Sequence, residues 1–307
     1  MRHRGLNMPT FGQTIRQLRL AKGLSQKAVY QDIVSRSFAT RFERGDNDIS
    51  ATKLFAILDN LGVTADEFRF IHQGNQPSGL ERALATTERY YAAQNFPALA
   101  DWIQAHRTSP HTYERLVASY NTIRLITFDH ADVQLNATTR PAYDHLQAAP
   151  SWTLRELPLA QLLIPIVAAN NGLTALPALT HKMTTSCARY QTSPQLAAQA
   201  NDALLSYYGS LFQTELNFHA YSSARALKEP LLAVDVHQLT WDGRLTQQVW
   251  LGIWHLYFGD WTTGEALVNA VLALETRYHP HIDNPLFAIV RLRTTQAHQY
   301  RQNNHNS

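Results

Sequence analysis

The sequence predicts an all-α protein in two parts, a small N-terminal domain of five helices and a much longer helical C-terminal domain. Apolar residues recur three and four apart along most of the chain, and the sustained apolar/polar alternation of half-buried strands is absent. Residues 72–79, His-Gln-Gly-Asn-Gln-Pro-Ser-Gly, break that period with a polar run carrying two glycines and a proline. At 307 residues the chain is also long enough for a second core. The expected division is 1–71, a linker at 72–79, and 80–307.

In the first part, Thr10 to Lys22 places Phe11, Ile15, Leu18 and Leu20 among Gln13, Arg16, Gln17 and Arg19, an amphipathic helix with a basic face. Gly23 supplies the left-handed backbone that ends it. Ser25 caps a short second helix through Gln26, Ala28 and Val29. A third helix starts from Ser35, whose hydroxyl is placed to accept from the amide of Ser37 or Phe38, and stops at Gly45. Phe42 is expected to anchor it inward, with Glu43 and Arg44 closing a local ion pair or holding the next loop. Ser50 caps a fourth helix with Leu54, Ile57, Leu58 and Leu61 inward, and Thr64 caps a fifth carrying Phe68.

Two helices joined by a short turn, the second with a polar and basic first turn, form the geometry that enters the major groove of DNA. Charge agrees: Met1–Gly45 holds nine Lys and Arg against two Asp and Glu, whereas the chain beyond residue 71 is close to neutral. The footprint for a polyanion is therefore local to this helix-turn-helix.

The blocks FGQTIRQLRLAKGLSQ, SRSFATRFERGDNDIS and LFAILDNLGVTADEF resemble the N-terminal domain of the Rgg/GadR/MutR family of bacterial regulators, a branch of the XRE-type repressor class. The likeness covers roughly residues 8–71 in sequence and the remainder in layout, and RFERGDNDIS is its most specific part. It implies a phosphate or base contact for Gln26, and it places Arg36, Ser37 and Phe38 on the exposed first turn of helix three, with Thr40 and Arg41 one turn on. Arg36 is then positioned for a bidentate pair to guanine and Phe38 for a thymine methyl, worth about 1–3 kcal/mol each. Two positions depart from the pattern. Tyr30 stands where the family has a small residue, and Ala39 where it has isoleucine or valine. Either the ring at 30 fills the space left at 39, or the angle between the helices changes. Ala51 occupies the place where some relatives carry a subunit-linking cysteine, so a covalent dimer through it is excluded.

Beyond residue 80, helices are expected at Leu157–Ala169, Leu173–Tyr190, Pro194–Ala220, Leu245–Phe258, Thr263–Tyr278 and Pro285–Tyr300, punctuated by prolines and glycines. Val249–Tyr278 reads as a helix, a Gly-Asp turn and a second helix with small Ala266 and Ala270 at packing positions. A train of such pairs reads as an α-solenoid of tetratricopeptide-like repeats, a reading that leans in part on the family resemblance. The resemblance implies that this domain dimerises and binds a short signalling peptide. Arg155, Asn170, Asn217, Tyr221 and Trp254 are candidates for that groove, being polar or amphipathic within apolar helices. Each is also a plausible hydrogen-bonded core residue.

The remaining signals point away from other classes. One cysteine, Cys187, and no signal peptide or long apolar span imply a reducing, cytoplasmic setting without disulfides or membrane. His279-Pro280-His281 has no third ligand nearby, and no paired-cysteine, HExxH, phosphate-loop or GxSxG motif is present, so no metal, cofactor or enzymatic activity is expected. The expectation is a homodimeric, cytoplasmic regulator that binds a double-stranded operator and a short peptide. The alternatives are a helix-turn-helix regulator whose helical domain only dimerises or answers another cue, and an adaptor that no longer reads DNA.

Overall fold

The computed structural model describes residues 8–128, 135–277 and 284–305. These are helical with no strand, and they divide into two compact units, residues 1–83 and 84–307.

Unit 1 contains α1 (Phe11–Ala21), α2 (Gln26–Tyr30), α3 (Arg36–Arg44), α4 (Ala51–Leu61) and α5 (Ala65–His72). Thr10 and Gln13 open α1 with a reciprocal capping box. Ser25, Ser35 and Thr64 accept from the amides of Ala28, Phe38 and Glu67, as their positions predict. Ser50 stands at the N-cap of α4 without a side-chain capping bond. Gly45 ends α3 in the left-handed region at φ 91°. Ile15, Val29, Phe42 and Ile57 are fully buried in one core with Leu58, Leu61 and Phe68. Leu20 faces water instead, because a residue two places from Leu18 lies off the apolar stripe.

Close backbone approach sets the angle between α1 and α3. A Cβ on Gly12 would lie 1.7 Å from the Phe42 carbonyl oxygen, so only glycine fits there. Gln13 Nε2 donates to the Arg44 carbonyl (3.2 Å) and closes the same seam at the C-terminal end of α3.

The stretch expected as a linker holds the end of α5, a turn, and the start of α6 (Gly79–Ala92). Ser78 and Glu81 cap one another there, the Ser78 amide donating to Glu81 at 2.7 Å, and Glu81 pairs with Arg69 of α5 at 2.9 Å.

Unit 2 runs on through α7 (Phe96–His106), α8 (Thr112–Phe128), α9 (Arg140–Ala148), α10 (Leu157–Ala160), α11 (Leu163–Asn171), α12 (Leu176–Ala188), α13 (Pro194–Asn217), α14 (Tyr221–Ala226), α15 (Lys228–Ala233), α16 (Trp241–Phe258), α17 (Trp261–Glu275) and α18 (Asn284–His305). Successive helices pack as neighbours, α7 on α8, α8 on α9, α12 on α13 and α16 on α17. The 24-residue α13 is the spine, touching α10, α11, α12, α14, α15 and α16.

Two expected helices are broken by proline. Leu157–Ala169 divides into α10 and α11 because Pro165 has no amide hydrogen for the Gln161 carbonyl. That carbonyl accepts from the Ile164 amide at 3.2 Å, a tighter turn, and from Ser210 Oγ on α13 at 3.3 Å. Leu173–Tyr190 starts as one turn of 3₁₀ helix before α12, whose first turn holds Pro177.

The α16–α17 pair also differs from expectation. Ala266 and Ala270 are exposed, and Gly264, Val268 and Val271 form the buried face, following i, i+4, i+7. The small residues that matter are Gly252 and Gly264, where an added Cβ would come within 2.7–2.9 Å of the facing helix.

Candidate nucleic-acid interface

α3 has two faces of opposite chemistry. Ala39, Phe42 and Glu43 point into the core, whereas Arg36, Ser37, Thr40 and Arg41 line a shallow open concavity. The spacing 36, 37, 40, 41 puts these four on one side of a helix. Arg36, Ser37 and Arg41 are exposed and Thr40 is half-buried.

Behind that face lies a buried polar cluster. Arg19 grips Glu43 with two hydrogen bonds of 2.7 Å, from Nε and Nη2. Gln26 Nε2 adds a third at 2.9 Å and the Tyr30 hydroxyl a fourth at 3.0 Å. Arg19 spends another donor on the Leu24 carbonyl. One carboxylate thus ties α1 and α2 to α3. Burial pushes the Glu43 carboxyl upward, but the hydrogen bonds from Arg19, Gln26 and Tyr30 outweigh it and hold it below the usual carboxylate range. The bond to Glu43 raises the Arg19 guanidinium, and burial beside the same carboxylate raises the Tyr30 phenol.

This cluster accounts for two expectations that the structure revises. Glu43 does not pair with Arg44 or hold the loop, because it points inward to Arg19. Tyr30 does more than fill space beside the buried Ala39, since its hydroxyl is a member of the polar cluster while its ring meets Phe42 edge-on at 6.5 Å.

Gln26 sits half-buried at the seam, donating to Glu43 and accepting from Thr40 Oγ1 at 3.4 Å. One of its two amide hydrogens is therefore committed inward. Phe38 is half-buried, stacks on Phe42 at 6.4 Å and packs against the core, with Lys53 Nζ 6.0 Å from its ring. It supports α3 from within, and the residue remains partly exposed.

The five candidates in unit 2 fall into two groups. Asn217, Tyr221 and Trp254 belong to one connected cluster. Asn217 Oδ1 accepts from Arg293 Nη2 at 2.9 Å, and Arg293 Nη1 shares the Gln296 oxygen with the Tyr257 hydroxyl. Tyr257 and Tyr221 both contact Tyr300, with ring centroids 5.8 and 4.3 Å away, and Trp254 joins through Phe258. Trp254 is itself buried, its indole donating to the Arg225 carbonyl at 2.8 Å. Arg155 is exposed elsewhere, and Asn170, exposed at the end of α11, donates back to the Ile166 carbonyl at 2.7 Å. Arg293 is not among the residues that the sequence singles out, although its signal is there: it shares a stripe with Val290 and Ala297, all three buried.

Cys187 is buried, and burial pushes its thiol up to about 12. Among the described residues no group of three His, Cys, Asp or Glu could hold a metal. His279-Pro280-His281 lies outside those residues. No described helix is long and apolar enough to cross a membrane.

Residues 15–68 match the helix-turn-helix family pattern. Unit 1 is a helix-turn-helix domain. This class of domain lays its second helix, here α3, in the DNA major groove. No curated protein sequence matches the chain. Several solved structures share its fold over nearly their whole length. A candidate transcriptional regulator from Listeria monocytogenes EGD-e superposes with a TM-score of 0.66 at 20% identity, over 97% of this chain and 99% of its own. The Streptococcus dysgalactiae SHP pheromone receptor Rgg2 gives 0.59 at 20% identity, over 95% and 99%. PrgX in complex with cCF10 gives 0.59 at 12% identity, over 94% and 99%. The fold of this chain is thus that of helical regulators in which a helix-turn-helix domain precedes a longer helical domain.

Proposed function

We propose that the chain is a transcription regulator that binds double-stranded operator DNA through α3, acts as a homodimer, and responds to a short peptide held by unit 2. The observation that carries the DNA-binding half is the pairing of an exposed Arg36, Ser37, Thr40 and Arg41 face with a clamp of four hydrogen bonds on Glu43 behind it. A groove-reading helix needs both exposed donors and a fixed angle. Support for the peptide half comes from the similar structures, since Rgg2 is described as a pheromone receptor and PrgX was solved with cCF10. The gathering of Asn217, Tyr221 and Trp254 around Arg293 agrees with it. A cytoplasmic location belongs to the same reading.

The test is a gel shift with the intergenic DNA next to the gene, repeated with short peptides encoded nearby. Loss of the shift in Arg36→Ala and Arg41→Ala, with a peptide-dependent change in occupancy, supports the reading. Binding without any peptide response leaves a regulator whose helical domain only dimerises or answers another cue. No sequence-dependent binding leaves a helical adaptor. Light scattering of a chain lacking residues 283–307 tests dimerisation through the C-terminal helix, which should yield monomer or aggregate.

A further inference from the structure

Arg293 is an anomaly. Its residue surface is 1% exposed, and no carboxylate pairs with it among the described residues. Its neighbours are neutral acceptors: the Gln296 oxygen at 2.8 Å, the Asn217 oxygen at 2.9 Å and the Gln213 carbonyl at 3.3 Å. Among the described residues its Nε has no hydrogen-bond partner. Buried cations are ordinarily paired, because dipoles alone recover only part of the lost hydration. Burial accordingly depresses the affinity of this guanidinium for its proton.

The surroundings suit an anion carrying an apolar body. Asn217 is exposed at the end of α13 while touching the guanidinium, so Arg293 lies one side chain below the surface. The Tyr257 hydroxyl donates to the same Gln296 oxygen that Arg293 uses, and the Tyr221 and Tyr300 rings stand beside it. Guanidinium, amide and tyrosine hydroxyl are the donors that recognise a carboxylate.

We propose that Arg293, with Asn217 and Tyr257, forms a receptor for a ligand carboxylate, supplied either by the C-terminus of a peptide or by a free organic acid. On binding, the carboxylate displaces the Asn217 oxygen from the guanidinium, and the Asn217 amide turns to donate to it. The inference deepens the ligand-sensing half of the proposed function and rests on it only for the peptide source.

Thermal unfolding of the full chain is followed with N-acetyl-leucine, which mimics a peptide C-terminus, with butyrate, and with N-acetyl-leucinamide, which lacks the charge. A concentration-dependent rise in melting temperature with a carboxylate but not with the amide is expected. A larger rise with N-acetyl-leucine assigns the site to peptide termini, and an equal rise with butyrate assigns it to carboxylic acids generally. Arg293→Gln removes contacts that join three helices, so Asn217→Asp is the decisive variant. It keeps those contacts and supplies the missing anion internally, so the unliganded protein should melt higher and the response to carboxylates should vanish. No rise with either carboxylate, or the same rise in Asn217→Asp as in the unaltered chain, overturns the proposal. Because the readout uses neither DNA nor a natural peptide, such a failure leaves the regulator reading standing, and loss of operator binding would leave this site untouched.

Discussion

Arg19 and Glu43 meet through two hydrogen bonds of 2.7 Å, with side chains only 10% and 4% exposed. Removing one partner strands the other in the core, so Arg19→Met or Glu43→Gln should cost about 3–5 kcal/mol of unit 1 stability. All six tryptophans lie in unit 2, so tryptophan fluorescence will not report the change. Amide hydrogen exchange in α1 and α3 is the measurement, and unchanged protection in both variants would show that the pair does not hold the domain together.

The same pair sets a pH dependence. The Glu43 carboxyl is depressed in the folded state, so its contribution is complete above the ordinary carboxylate range and is lost as pH falls through the lowered value. Operator binding and α3 protection should therefore weaken together below the ordinary carboxylate range. Tyr30→Phe, which removes one hydrogen bond to that carboxylate, should cost about 1.5–3 kcal/mol and lessen this acid tolerance.

Arg36 and Arg41 should separate by their effects on DNA. A side chain that pairs with a guanine edge contributes about 1–3 kcal/mol at one base position, whereas a phosphate contact weakens all sequences alike and lowers the log–log salt slope by about 0.9. Gel shifts of Arg36→Ala and Arg41→Ala across salt concentrations and mutated operators give the assignment. Wild-type affinity in both variants at matched salt would remove α3 as the reading helix.

Two glycines of unit 1 should respond differently to alanine. At Gly12 the new Cβ meets the Phe42 carbonyl at 1.7 Å, so α1 and α3 must separate, an overpacking cost of about 1–3 kcal/mol or more with loss of operator binding. Gly23 has open space and a φ of +66°, so only backbone strain of about 1–2 kcal/mol applies and DNA binding should survive. Circular dichroism melts with a gel shift compare them, and equal behaviour would discount the close approach.

Glu215 on the spine helix is buried, one of its carboxylate oxygens has no hydrogen bond among the described residues, and burial raises it to about 7. Folding therefore favours its protonated form. Stability falls as pH rises from the ordinary carboxylate value toward 7 and is flat above it. Glu215→Gln should stabilise unit 2 at neutral pH by about 3 kcal/mol and abolish that slope. Urea unfolding by tryptophan fluorescence from pH 4 to 8 reads it, and a variant no more stable than the parent at pH 8 would mean that water reaches the carboxylate.

Local chemistry carried most of what the sequence made legible. Caps at Ser25, Ser35 and Thr64, the stop at Gly45 and the inward Phe42 all follow from a few adjacent residues, and all five N-terminal helices were placed from them. The exposed Arg36–Arg41 face follows from the same periodicity. Glu43 shows where that ends: its partner Arg19 is 24 residues away, and nothing adjacent to either residue encodes the pairing. Proline chemistry could have split the helix at Pro165, since the carbonyl four residues earlier must lose its donor. Ala266 and Ala270 stand out by size alone, whereas the phase of Gly264, Val268 and Val271 decides which side meets α16. Arg293 was readable as a cation inside an apolar stripe, but its lack of a counter-ion is visible only in three dimensions.

The contact between Gly252 and Gly264 has a kinetic meaning. These glycines bring α16 and α17 backbone to backbone across a turn capped by Asp260, between residues close in sequence, so the loop entropy of forming this hairpin is small. We expect it to be the nucleus of unit 2, although it lies late in the chain. A ribosome will have released most of unit 2 before its best nucleus emerges, leaving α13 to wait for its partner α16. Pulse-labelled hydrogen exchange should find α16 and α17 protected first; early protection of α7 and α8 instead would place the nucleus at the other end.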